Sequence, residues 1–121
     1  MEVAANLEKL IDNCLDVIRE AYGEPITVNC GYRSPKLNAE VGGSKTSDHL
    51  LGRAADLDNT PGLQECIIGL IIDGKLKFDQ FIIEKPNSDG RGRWLHVSYR
   101  DKNRFQALKF NGKTYAPIYF V

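Results

Sequence analysis

Two β-rich runs, FDQFIIE (78–84) and WLHVSY (94–99), flank the turn-forming span KPNSDGRGR, and no other feature restricts the fold as strongly. The pattern predicts a long antiparallel hairpin. Side chains alternate between the two faces of a strand, so Trp94, His96 and Ser98 share one face and Leu95, Val97 and Tyr99 the other. Leu95 and Val97 suit a core. His96 is then expected on the opposite face, where a polar site can be built. If Glu84 pairs opposite Trp94 or His96, equal parity puts its carboxylate on that face too, provided no bulge intervenes.

The rest of the chain supplies what such a hairpin would pack against. Leu7, Leu10, Ile11, Cys14, Leu15, Ile18 and Ala21 recur at helical spacing, predicting an amphipathic helix over Asn6–Tyr22 closed by Gly23. PITVNC (25–30) and AADLD (54–58) read as short strands, and Ser34-Pro35 as the cap and first residue of a brief helix. VGGSKTS (41–47) reads as a glycine-bearing loop. Thr60-Pro61 opens a second helix carrying Ile67, Ile68, Ile71 and Ile72 and ending at Gly74, and Asn111-Gly112 marks a second hairpin. The expected class is α+β with an antiparallel sheet, one domain over residues 1–121.

Sixteen basic and sixteen acidic side chains cancel to a formal charge of +0. No broad field exists to hold a polyanion, so nucleic acid is not an expected partner. The longest apolar stretch, around Cys66–Ile72, is too short for membrane insertion. Cys14, Cys30 and Cys66 lack CxxC spacing and sit in apolar or strand-like surroundings, which predicts buried reduced thiols. MEVAANLEKL lacks the basic start and apolar stretch of a signal peptide, so synthesis in the cytoplasm is expected.

The chain has two histidines. His49 lies in SDHLLGRAAD at the end of the glycine-bearing loop, Asp56 follows on a strand, and His96 lies on the hairpin. Two imidazoles and one carboxylate from separate segments form a three-ligand set that leaves a coordination position for water on zinc. Taken singly, each has a plainer reading: a structural strand histidine, a strand-end cap, a solvated loop residue. The same donors also suit a mononuclear iron triad. The familiar oxygenase arrangement, however, places its first pair as HxD on one strand.

SDHLLGRAAD has the form SxHxxGxAxD and WLHVSY the form WxHxS. With the upstream NCGYRSPKLNAEVGGSK, they resemble the D-alanyl-D-alanine carboxypeptidase family of zinc peptidases, most closely its small single-domain branch of phages and bacteria. The resemblance implies a hedgehog/DD-peptidase fold, with zinc bound by His49, Asp56 and His96. Many relatives carry an acid three residues before the last histidine, a place held here by Arg93, which cannot act as a base. Glu84 is therefore the expected general base, with Asp89 in reserve. Arg33, in GYRS, looks like the residue that meets a substrate carboxylate or carbonyl, giving it a catalytic and a substrate-binding role; a turn-stabilising arginine is the alternative. Ser47 is expected to touch substrate, orient the ligands or cap a loop. Trp94 walls the peptide stem or joins the core, and Asp48 and Asp58 cap loops. The implied activity is zinc-dependent hydrolysis of peptidoglycan stem peptides, as carboxypeptidase or as cell-wall endopeptidase of the endolysin type. A monomer acting on the wall after release from the cell is expected. The alternative is a non-catalytic, zinc-containing peptidoglycan- or peptide-binding module, for which Arg93 speaks.

Overall fold

A computed structural model describes residues 2–43 and 47–119; positions 44–46 of the predicted VGGSKTS loop lie outside the described residues. The first helical region starts earlier than its apolar stripe suggests, with α1 (Glu2–Leu10), a π-helical stretch (Ile11–Leu15) and α2 (Asp16–Tyr22) in succession. Its deeply buried side chains, Leu10, Cys14 and Ile18, repeat every fourth residue. On an α-helix that step drifts by about 40° per repeat, and the wider π turn takes the drift back. Gly23 ends the helix in the left-handed region, as predicted, with φ 77°.

Among the described residues six strands form one sheet in the order β1-β2-β4-β3-β5-β6. They are β1 (Val28–Cys30), β2 (Ala54–Asp58), β3 (Gln80–Glu84), β4 (Trp94–Ser98), β5 (Gln106–Phe110) and β6 (Tyr115–Pro117). The predicted hairpin is present as β3–β4, with Glu84 opposite Trp94 and Ile82 opposite His96. Around Asn111-Gly112, β5 and β6 pair antiparallel.

The sheet is mixed rather than purely antiparallel, because β5 runs parallel to β3. After β4 the chain steps past the start of β3 and pairs on its far side. A buried carboxylate holds that step: Asp79 is 0% exposed. Arg104 gives it backbone N (2.9 Å), Nε (3.0 Å) and Nη2 (2.6 Å). Gln106 N then donates to Asp79 O at 2.9 Å, and parallel pairing starts there.

Parity divides the sheet. Ala55, Leu57, Phe81, Ile83, Leu95 and Val97 face Leu10, Cys14 and Ile18 and the α4 (Leu63–Ile72) residues Leu63 and Ile67, forming the core. The even-numbered residues of β2, β3 and β4 face the other way. Tyr22 ties the two helices together, its Oη donating to Pro61 O at 2.7 Å. α3 (Pro35–Glu40) is capped as predicted by Ser34, whose Oγ accepts from Leu37 N. Among the described residues no helix is long and apolar enough to cross a membrane.

Candidate metal centre

Strand pairing alone assembles most of the site. Cys30 lies opposite Asp56 and Asp56 opposite His96, so β1, β2 and β4 set three potential donors in one row on the polar face. His96 Nδ1 is 2.9 Å from Asp56 Oδ1. His49 arrives from a 3₁₀ turn (Asp48–Leu51) that Ser47 caps by accepting from His49 N at 3.2 Å. Gly52 closes that turn with φ 71°, and a Cβ there would come within 2.8 Å of the Val3 carbonyl, so the turn rests directly on α1.

The 2%-exposed His49 ring is oriented from both ends. Nδ1 is 2.7 Å from Gly31 O and Nε2 is 3.3 Å from Asp56 Oδ2. A carbonyl can only accept, so Nδ1 carries the proton and donates. In the neutral ring Nε2 then turns a lone pair toward a carboxylate oxygen, an arrangement that a bound cation would complete, whereas in the imidazolium it donates to that oxygen. Fixing one ring nitrogen on a backbone carbonyl is how proteins orient a histidine whose other nitrogen binds a metal. The two rings meet edge to face, centroids 5.3 Å apart. The ligating atoms of Cys30, His49 and Asp56 all lie within 4.8 Å of one another, a cluster capable of holding a metal ion. Burial pushes the Asp56 carboxyl up, but the hydrogen bonds and charges of His49 and His96 outweigh it and hold it well below the usual carboxylate range. The donor set thus fits zinc: imidazole, carboxylate and thiol, with the carboxylate ionised.

The cluster opens into a cleft of about 620 Å³ whose walls include Arg33, Ser47, Glu84 and Trp94. Glu84 is on the face its parity assigned, half-buried, and burial raises its carboxyl above the ordinary value. Arg33 Nη1 donates to Asn38 Oδ1 at 3.0 Å, while its Nε is buried without a hydrogen-bond partner among the described residues. Trp94 is half-buried, with Lys85 Nζ 5.6 Å from its ring centroid. Asp89, the reserve base, is not in the cleft wall; it is exposed and accepts from Arg91 N within its own loop. Arg93 is exposed and likewise outside the wall.

Three residues behave otherwise than the sequence suggested. Asp48 pairs with an arginine: Arg100 Nη2 donates to its carboxylate at 2.9 Å, linking the His49 turn to the end of β4. Asp58 accepts from the Asn29 amide, tying β2 to β1. All three cysteines are free, as expected, but only Cys14 is buried, and Cys30 stands beside the histidine–aspartate pair. No spacing in the sequence announces this, because a bulge in β1 decides which way Cys30 faces.

Residues 2–85 match the family described as Peptidase M15. That span takes in Cys30, His49, Asp56 and Glu84 and stops short of His96. A stretch of 44 residues, 36% of the chain, is 52% identical to the zinc D-Ala-D-Ala carboxypeptidase of Streptomyces albus G, of whose length the match covers 17%.

Proposed function

Because the chain belongs to the Peptidase M15 family, we propose that it is a zinc-dependent peptidase acting on peptidoglycan stem peptides, as carboxypeptidase or as cell-wall endopeptidase. The observation that carries this reading is the meeting of both histidines on the Asp56 carboxylate, at 2.9 and 3.3 Å, in the wall of an open cleft. The likeness to a zinc D-Ala-D-Ala carboxypeptidase supports the choice of substrate class.

His49, Asp56 and His96 would hold the ion. Zinc, when bound, lowers the pKa of water toward neutrality and polarises a carbonyl. The remaining work falls to side chains of the cleft. Glu84 takes the proton of the attacking water and delivers it to the leaving amine. A carboxylate with a raised pKa is better matched to that exchange near neutral pH than a solvated one. Arg33 grips a carboxylate or carbonyl of the peptide, for which its planar donors are suited, and Trp94 walls the stem. Ser47 acts through the turn, fixing where His49 stands. The setting we propose is that of a lysin, which meets the wall once the inner membrane is breached. Glu84 in the cleft wall, with its carboxyl raised by burial, favours the enzyme over a purely binding module.

The test is incubation of the zinc-loaded protein with purified sacculi and synthetic stem peptides, followed by mass spectrometry. Release of a single terminal D-alanine identifies a carboxypeptidase, and larger fragments an endopeptidase. Intact substrates at full zinc occupancy would remove the enzymatic reading.

A further inference from the structure

The β1–β2 pairing contains an irregularity that bears on the metal. Val28 is opposite Leu57, yet Cys30 is opposite Asp56. Regular antiparallel pairing counted from Val28–Leu57 would set Asn29 against Asp56 and Cys30 against Ala55, on the core face. One extra residue in β1 moves Cys30 onto the cleft face, which is what bulges beside active sites do: they re-aim a side chain. The Asn29 side chain, bonded to Asp58, holds the bulged segment against β2.

The three thiols of the chain differ accordingly. Cys14 is 0% exposed, donates to Lys77 O at 2.8 Å and is pushed up to about 12 by burial, as suits a thiol that stays protonated in a core. Cys66 sits on α4, remote in sequence and fold from the cleft row. Cys30 is half-buried, its Sγ 3.9 Å from Gly31 O and within 4.8 Å of ligating atoms of both His49 and Asp56.

We propose that Cys30 is a sulfur donor to the metal held by His49, Asp56 and His96, its thiol proton passing to solvent as the sulfur–metal bond forms. The proposal rests on the metal-centre reading above and adds a fourth protein ligand to it, so water would reach the ion as a fifth ligand or in exchange for the sulfur. Cys30 and His96 approach Asp56 from opposite neighbouring strands, so the sulfur would reach an ion held there from the side opposite His96. A soft thiolate beside imidazole and carboxylate favours zinc over magnesium or calcium.

The experiment uses the full chain, stripped with a chelator and loaded with cobalt(II), as wild type, Cys30→Ser and Cys30→Ala. Wild type shows a near-ultraviolet sulfur-to-cobalt charge-transfer band together with visible d–d bands. Both variants keep the d–d bands and lose the charge-transfer band, and their zinc affinity, read by competition with a chromophoric chelator, falls more than about tenfold. Wild-type d–d bands without a charge-transfer band overturn the sulfur ligand and leave the metal centre standing. A wild type with no cobalt spectrum overturns the centre and the proposal with it. Should the variants misfold, alkylation of wild type decides: zinc slows iodoacetamide at Cys30 relative to Cys66 by peptide mass spectrometry, and equal rates overturn the proposal.

Discussion

Asp79 and Asp56 hold their carboxylates in contrasting company. Asp79, at the start of β3, is enclosed by arginines: three donors of Arg104 make four hydrogen bonds to it at 2.6–3.3 Å, and Arg100 Nε stands 3.4 Å away. Asp56, mid-strand on β2, has two imidazoles instead. Both carboxyls are held below their ordinary range against the opposing effect of burial. A guanidinium is a permanent cation, so the charge of Asp79 is compensated by the chain alone and its role is complete in folding. An imidazole need carry no charge, and in its neutral form the His49 nitrogen facing Asp56 has no proton to offer. A cation from outside can then complete the surroundings of that carboxylate. A lowered carboxylate thus serves the fold at Asp79 and, on the reading proposed above, chemistry at Asp56.

The comparison implies that site residues can be lost without the fold, and fold residues without the metal. The largest effect is expected at Glu84: Glu84→Gln lowers cleavage by about 10²–10⁴-fold with zinc content and melting temperature unchanged. A parallel loss of zinc would make Glu84 part of the metal site and blur the distinction. Next, Asp79→Ala leaves Arg104 without its anion and destabilises by about 3–5 kcal/mol in urea unfolding, while the residual folded protein still binds one equivalent of zinc.

That second effect carries a pH signature. A carboxyl whose folded pKa is depressed contributes stability above its unfolded value and loses it as pH falls through the folded value. The stability gap between wild type and Asp79→Asn is thus widest at neutral pH and closes below about pH 4. A gap independent of pH would mean that Asp79 is not ionised in the fold.

Zinc in hundredfold excess over its Kd stabilises wild type by about 2.7 kcal/mol, and a chelator reverses the gain. Asp56→Ala loses this response and Asp79→Asn keeps it, as thermal melts with and without zinc would reveal. The smallest effect is at Ser47. Ser47→Ala removes the cap of the His49 turn and costs about 1 kcal/mol, and its zinc affinity, measured by calorimetry, weakens because His49 is less firmly placed.

What the sequence disclosed follows from locality. Alternation in WLHVSY placed Leu95 and Val97 in the core and His96 in the cleft, and parity carried Glu84 to the same face, because strand periodicity is set residue by residue. Gly23 and Ser34-Pro35 were legible for the same reason. The parallel pairing of β5 was hidden, since it depends on Asp79 meeting Arg104 across β4 and its turns. The orientation of Cys30 was hidden too: one inserted residue reverses the face of a strand, and nothing in PITVNC marks where the insertion falls. His49 and Asp56 were recognisable by motif, but the Gly31 carbonyl that fixes the imidazole is a backbone atom, invisible to residue type.

The most direct test is an anomalous difference map at the zinc absorption edge from crystals of the zinc-loaded protein. The account predicts one strong peak within bonding distance of the Asp56 carboxylate and of ring nitrogens of both His49 and His96. Crystals that hold zinc elsewhere, or that bind it without Asp56, would contradict it.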